Sequence, residues 1–434
     1  MLNAEELRNA LRRDGALLVD ARRSDLYNGW SDGCPSWGGH APGAVSFDAG
    51  WLDVCRDDLE ERLSEALTEK GMTPDRELLL YDVGGKETAR LGDWLRRRGF
   101  KRISSFDLGI WARADGRPLE RYPGYGLLVS AFALRERLEG RPAETFDSGR
   151  GVKVVEASKG GAEVSHALGH VPGAVHLDVD HLYSDKNLVP ETRYRLADPK
   201  ALEEAALALG ITSEDCVVVT GASPMAMCRA AWALHYLGVR DVRVLNGGLG
   251  AWKRRGYALS TEAVRPVPAS SFGIAVPGRG EVLRTIDEIE ALRSDWGTSQ
   301  LVDIRSLEEY RGDVSGYDHQ EIVGHIPGAV LGYAGLGDPH SLDYYRNVDD
   351  TMRQDSEILS LWRRCGIDWS RHLIFSCGMG WRAAEVWFYA RAMGLNNVSK
   401  YSDGWIRWSN SGYPVETGGP GGARREVGDA SPCP

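Results

Sequence analysis

Short apolar runs alternate with longer amphipathic stretches along this chain, and the alternation comes round three times. Leu17-Leu18-Val19-Asp20, Val154-Val155-Glu156 and Leu301-Val302-Asp303 are apolar runs that close on an acid. Further on lie Leu78-Leu79-Leu80-Tyr81, Val217-Val218-Val219-Thr220 and Leu373-Ile374-Phe375-Ser376. Each of these leads into a stretch read as a helix, ending near Gly99, Gly238 or Gly394. A tryptophan at 111, 252 or 408 then precedes a Gly/Pro-containing turn. Runs this short, apolar without a polar alternate, predict strands covered on both faces. Strands interleaved with helices predict an α/β fold built on mainly parallel sheets flanked by helices.

A second marker confirms the period. His40-Ala41-Pro42-Gly43-Ala44-Val45 recurs as His170-Val171-Pro172-Gly173-Ala174-Val175 and as His325-Ile326-Pro327-Gly328-Ala329-Val330. The histidines are 130 and 155 residues apart and the closing tryptophans 141 and 156. Unequal repeats of this length are whole domains with loop insertions, not a solenoid. The expected domains are 1–123, 124–264 and 276–418, with Arg265-Pro266-Val267-Pro268-Ala269 as a linker and 419–434 as a flexible tail.

Charge and cysteine usage narrow the function classes. A net charge of −10 has the wrong sign for a general nucleic-acid or anionic-membrane binder. No apolar run is long enough to span a bilayer, and the acidic start Met1-Leu2-Asn3-Ala4-Glu5-Glu6-Leu7 lacks the features of a signal peptide. A cytoplasmic location is the expectation. The cysteines at 34, 55, 216, 228, 365, 377 and 433 form no C-x-x-C, and no histidine cluster has zinc spacing. Reduced thiols are expected, with neither a metal nor another cofactor.

One cysteine stands apart by its setting. Cys377-Gly378-Met379-Gly380-Trp381-Arg382 joins a buried strand to a helix expected to begin near Arg382 or Ala383. Successive amides of such a turn converge into an anion-binding nest, and the helix N-terminus adds partial positive charge. Both favour a thiolate, and later a persulfide, at Cys377. Gly378 and Gly380 allow tight backbone geometry, and Arg382 offers planar donors to an oxyanion. At the matching place domain 2 has Gly221, and domain 1 has Asp82 or Val83, so only domain 3 carries the thiol. Cys34, Cys55, Cys216 and Cys365 read as structural filler, Cys228 as helix packing and Cys433 as an incidental tail thiol. His325 recurs in the two copies without a nucleophile and therefore reads as turn-stabilising.

The strand-end Asp303-Ile304-Arg305, the Gly-His-Ile-Pro-Gly-Ala turn and the Cys-led loop together resemble the rhodanese superfamily, three times over. The single Cys-Gly-x-Gly-Trp-Arg loop in the third domain is similar to the three-domain thiosulfate sulfurtransferases of enterobacteria. That resemblance implies three tandem rhodanese-like domains, the first two inactive, and sulfur transfer through a Cys377 persulfide. It implies a supporting role for Asp303 and Arg305, which pair internally behind the loop. The implied partners are a small sulfur donor, thiosulfate or 3-mercaptopyruvate, and a sulfur-acceptor protein or a cysteine desulfurase. A phosphatase of this fold would carry five residues between Cys and Arg, and here there are four. A non-catalytic scaffold is the alternative of another class, resting on the two domains without a thiol and on Trp30 and Trp37 in a domain 1 insertion, which are expected to pack against domain 2 or 3.

Overall fold

The computed structural model describes residues 1–13, 15–33, 37–113, 118–184, 195–317, 320–335 and 341–419. The expected tail, with Cys433, and Cys34 fall almost wholly outside these residues. By internal packing the chain forms two compact units.

The first unit comprises Met1–Tyr125 together with Asn347–Gln354. Its sheet is built from β1 (Leu17–Asp20), β2 (Val45–Ser46), β3 (Leu78–Asp82) and β4 (Ile103–Asp107), in the order β2-β1-β3-β4. All its pairings are parallel. Every residue of β1 and β3 is buried, which is why these strands read as unbroken apolar runs. The segment Asn347–Gln354 departs from the sequence expectation, which kept it inside the 276–418 domain. Gln354 Oε1 accepts from the Ser46 N–H at 3.0 Å, Arg56 donates to the Val348 carbonyl at 3.1 Å, and Val348 joins the hydrophobic core. Its own turn chemistry gave no sign of so distant an attachment. Trp30 is buried, edge-on to Tyr125 at 5.3 Å.

The second unit, Gly126–Arg346 with Asp355–Pro434, holds two five-stranded sheets. The first contains β5 (Leu128–Val129), β6 (Val152–Ser158), β7 (Val175–Asp178), β8 (Cys216–Thr220) and β9 (Asp241–Leu245), ordered β5-β9-β8-β6-β7. The second contains β10 (Leu283–Arg284), β11 (Ser299–Asp303), β12 (Val330–Leu331), β13 (His372–Ser376) and β14 (Val398–Tyr401), ordered β10-β14-β13-β11-β12. The two orders are the same topology twice, and all pairings are parallel. Helices Pro224–Leu237 and Trp381–Ala392 pack on one another. Both are buried on nearly every face, as apolar residues all round a helix require. Among the described residues no helix is long and apolar enough to cross a membrane.

Candidate active site

Strand register fixes which residues correspond in the three copies. Asp20 lies opposite Tyr81, Glu156 opposite Thr220 and Asp303 opposite Ser376. The residue after each of these second-strand positions is therefore Asp82, Gly221 or Cys377, which settles the Asp82-or-Val83 ambiguity for Asp82. Cys377 follows β13 and is buried, 2% exposed. The Gly380 N–H donates to its Sγ at 3.1 Å. Asp82 makes the equivalent contact in the first copy: its carboxylate accepts from the Gly85 N–H at 2.9 Å and from the Thr88 N–H at 3.0 Å. One loop geometry thus holds a built-in carboxylate in copy 1 and a sulfur in copy 3. In both copies the amide three residues on donates to the side chain that opens the loop.

The loop is shorter than the sequence implied. The helix starts at Trp381, because Gly380 takes the N-cap position with φ +78°, a left-handed conformation that suits glycine. Trp381 and Arg382 therefore belong to the helix, and only Cys377–Gly380 form the turn. Gly380 leaves no room for a side chain, since a Cβ there would lie 2.4 Å from the Ser402 carbonyl oxygen. At Gly378 a Cβ would lie 1.8 Å from the Tyr317 hydroxyl. Gly378→Ala is expected to force the loop and Tyr317 apart and to lower turnover by about 100-fold, a loss comparable to one misaligned oxyanion donor. Steady-state kinetics with an unchanged circular-dichroism spectrum would check it.

Arg382 is not positioned as the sequence suggested. Its guanidinium is buried and grips Glu309 with both ends, at 2.8 and 2.9 Å, while donating to the Tyr317 hydroxyl at 2.6 Å. Burial alone would raise the Glu309 pKa, but Arg382 and then Arg305 outweigh it and the net direction is downward. These donors brace the loop from behind and are committed to protein partners. Asp303 and Arg305 form a second buried pair at 2.9 and 2.6 Å, and Arg305 also donates to the Gly324 carbonyl at 2.7 Å. His325 stacks on Tyr310 at 3.7 Å and its Nδ1 meets the Tyr310 carbonyl at 2.7 Å. His40 and His170 do the same on Tyr27 and His166. Met379 lies in the turn and is half-buried.

Two basic side chains that the sequence reading missed flank the loop. Arg229, from the helix Pro224–Leu237, donates Nη1 to the Ser402 hydroxyl at 2.6 Å. Its Nη1 also lies 3.0 Å from where a Cβ on Gly380 would stand. Its Nε and Nη2 are buried without a hydrogen-bond partner among the described residues. Lys400 on β14 is fully buried, 3.5 Å over the Trp232 ring, with Nζ 3.4 Å from the Gly380 carbonyl. Burial drives its pKa well down, Arg229 adds to that, and negative charge on Cys377 pulls it back up. The available signal was a cation inside an otherwise apolar run, Met227-Cys228-Arg229-Ala230-Ala231-Trp232 and Val398-Ser399-Lys400-Tyr401. Trp381 closes the other side: its Nε1 donates to the Tyr183 hydroxyl, and the two rings lie near-parallel at 6.5 Å.

The remaining thiols are dispersed. Cys55 is exposed and free, and Cys216 and Cys228 are buried and free. Burial pushes the Cys216 thiol up to about 12 and that of Cys228 well above its ordinary value. Cys365 corrects the expectation of reduced thiols throughout: it is disulfide-bonded.

A profile for the rhodanese-like domain matches residues 3–112, 139–255 and 285–411. The chain belongs to the rhodanese family. It is 30% identical over 412 residues to the thiosulfate sulfurtransferase YnjE of Escherichia coli, covering 94% of this chain and 90% of that protein. It is also 30% identical over 271 residues to the sulfur carrier protein TtuD of Thermus thermophilus, covering 58% of this chain and 86% of TtuD. Among solved structures, wild-type EanB superposes with a TM-score of 0.87 at 32% identity, over 96% of this chain and 98% of EanB. An anaerobic ergothioneine biosynthesis enzyme from Chlorobium limicola, in complex with trimethyl histidine, gives 0.86 at 32% identity, over 96% and 99% of the two chains. An EanB variant bearing a cysteine persulfide, in a tetrahedral intermediate state with ergothioneine, gives 0.87 at 32%, over 96% and 100%. This rhodanese-family chain is an enzyme of the sulfurtransferase class.

Proposed function

We propose that this protein moves the sulfane sulfur of thiosulfate to a thiophilic acceptor through a persulfide on Cys377. The carrying observation is the contact between the Gly380 N–H and Cys377 Sγ at 3.1 Å, in a nest that holds a carboxylate in copy 1. The Cys377 thiolate attacks the outer sulfur of thiosulfate. A new S–S bond forms at Cys377, the old one breaks, and sulfite leaves with the electron pair. The acceptor's nucleophile then takes the outer sulfur and returns the thiolate. The open donors of Arg229 are suited to the thiosulfate oxygens, where they would offset the charge leaving on sulfite. Likeness to YnjE along 94% of the chain supports thiosulfate as donor.

A second reading follows from the EanB likeness: an imidazole such as that of trimethyl histidine as sulfur acceptor. EanB carries a threonine two residues beyond its persulfide cysteine, and two of its hercynine complexes bear substitutions there. Met379 stands two residues beyond Cys377 here, and a thioether offers no hydroxyl to a polar acceptor. That difference favours a thiol or thiophile acceptor.

Initial rates with thiosulfate and with 3-mercaptopyruvate, read as thiocyanate released to cyanide, test the donor. Thiosulfate should give the higher kcat/KM, and Arg229→Met should lower it about 100-fold. A higher kcat/KM for mercaptopyruvate, or an indifferent Arg229→Met, would reverse the assignment.

A further inference from the structure

Copy 2 lacks more than the thiol. Its acid, Glu156, stands where Asp20 and Asp303 stand in the other copies, each of which pairs with an arginine two residues on. Ser158 occupies the arginine's place. Two other positions change with it. His166 replaces the stacking tyrosine, as the shared contact to the His170 Nδ1 establishes. His176, opposite Glu156 across β6 and β7, takes the place of Ser46 and Leu331, which lie opposite the corresponding acids. Three substitutions and the loss of one arginine converge on a single point.

The local chemistry is that of a ligand set. One ligand atom from each of Glu156, His166 and His176 lies within 4.8 Å of the other two. His166 Nδ1 is 3.6 Å from Glu156 Oε2, near the separation of two ligands on one tetrahedral ion. That Nδ1 is buried and has no hydrogen-bond partner among the described residues, on a side chain only 5% exposed. His176 Nδ1 meets the same Oε2 at 2.8 Å, while its Nε2 donates to the Gly160 carbonyl at 3.0 Å. A ring nitrogen anchored on a backbone carbonyl, with the other turned to the centre, is the arrangement that orients metal-ligating histidines. Ser165 donates to Glu156 Oε1 at 3.1 Å and steadies the carboxylate. His176 is partly open to solvent, so water can reach a fourth position.

We infer that Glu156, His166 and His176 form a binding site for a first-row divalent cation, with Zn²⁺ the natural match for two imidazoles and a carboxylate. The ion replaces the proton held between His176 Nδ1 and Glu156 Oε2, which leaves to solvent, and it gives the unpartnered His166 Nδ1 a ligand role. It would do for copy 2 what the buried Asp-Arg pair does in the other two copies. Sequence spacing hid the set, because the ligands lie on a strand, a 3₁₀ turn and a neighbouring strand.

The test uses full-length protein carrying Cys377→Ser, stripped with EDTA, in competition with a chromogenic chelator for Zn²⁺. It is compared with the same protein carrying His166→Tyr and His176→Ser, the residues that copy 1 uses at these places. The parent should hold one equivalent more than the variant, with affinity at that site at least about 100-fold higher. Equal uptake by two folded proteins, or no uptake by the parent, overturns the site. Should the variant fail to fold, Co²⁺ added to the parent decides. Visible d–d bands without thiolate-to-cobalt charge transfer support the site. Thiolate charge transfer, or no bands, rejects it. Neither measurement depends on sulfur transfer.

Discussion

Cys377→Ser is expected to abolish sulfur transfer from every donor, by at least about 1,000-fold, while leaving the melting temperature nearly unchanged. Loss of a nucleophile that acts as a unit with its surroundings removes the whole covalent route. Stability should be spared because serine nearly matches cysteine in size and can accept the same hydrogen bond from the Gly380 N–H. Rates by thiocyanate release and a thermal melt of the same sample separate the two effects. Residual transfer within tenfold of wild type would place the chemistry on another thiol.

The second large effect concerns Arg382, and it is a stability effect. Arg382→Met should destabilise the second unit by about 3–5 kcal/mol, because it leaves the Glu309 carboxylate buried without its cation. Glu309 is fully enclosed and meets both ends of the guanidinium. Since the folded-state pKa of Glu309 lies below its ordinary value of 4.5, the pair's contribution is fully present above that pH. It is lost as pH falls through the lower, folded value. Denaturant unfolding of wild type between neutral pH and the acid range should show that loss, and Arg382→Met should flatten it. A variant as stable as wild type at neutral pH would mean that Arg382 is free for substrate after all.

The contrast between these two residues shows what the sequence could and could not carry. The place of Cys377 at the head of the loop was legible because its signal is a comparison within the chain: one frame three times, one thiol once. Strand identity was equally legible, since parallel strands buried on both faces leave unbroken apolar runs such as Leu78-Leu79-Leu80-Tyr81. Arg382 was misjudged because a guanidinium two residues past the turn serves substrate or scaffold according to where the helix begins. That start depends on the left-handed Gly380, a backbone choice without a side-chain signature. Arg229 and Lys400 were missed for a different reason. They reach the loop from another domain's helix and from a neighbouring strand, and no local spacing encodes that meeting. The same holds for Glu156, His166 and His176, which only the fold brings together, and for Asn347–Gln354, whose core lies in the first unit.

Copy 1 gives the anion nest an internal reference. Asp82 shows the loop closing on a carboxylate, and Cys377 puts a sulfur at the same point of the same turn. A persulfide anion at Cys377 would accept the amide that Asp82 accepts from Gly85. That correspondence links the proposed sulfur chemistry on Cys377 to the backbone geometry of the loop.

Intact mass spectrometry after incubation with thiosulfate alone, without cyanide, is the most direct test of that claim. A gain of one sulfur atom is expected, mapping to the peptide that contains Cys377, reversed by cyanide and absent from Cys377→Ser. Sulfur found instead on the exposed Cys55, or retained by the Cys377→Ser protein, would contradict it.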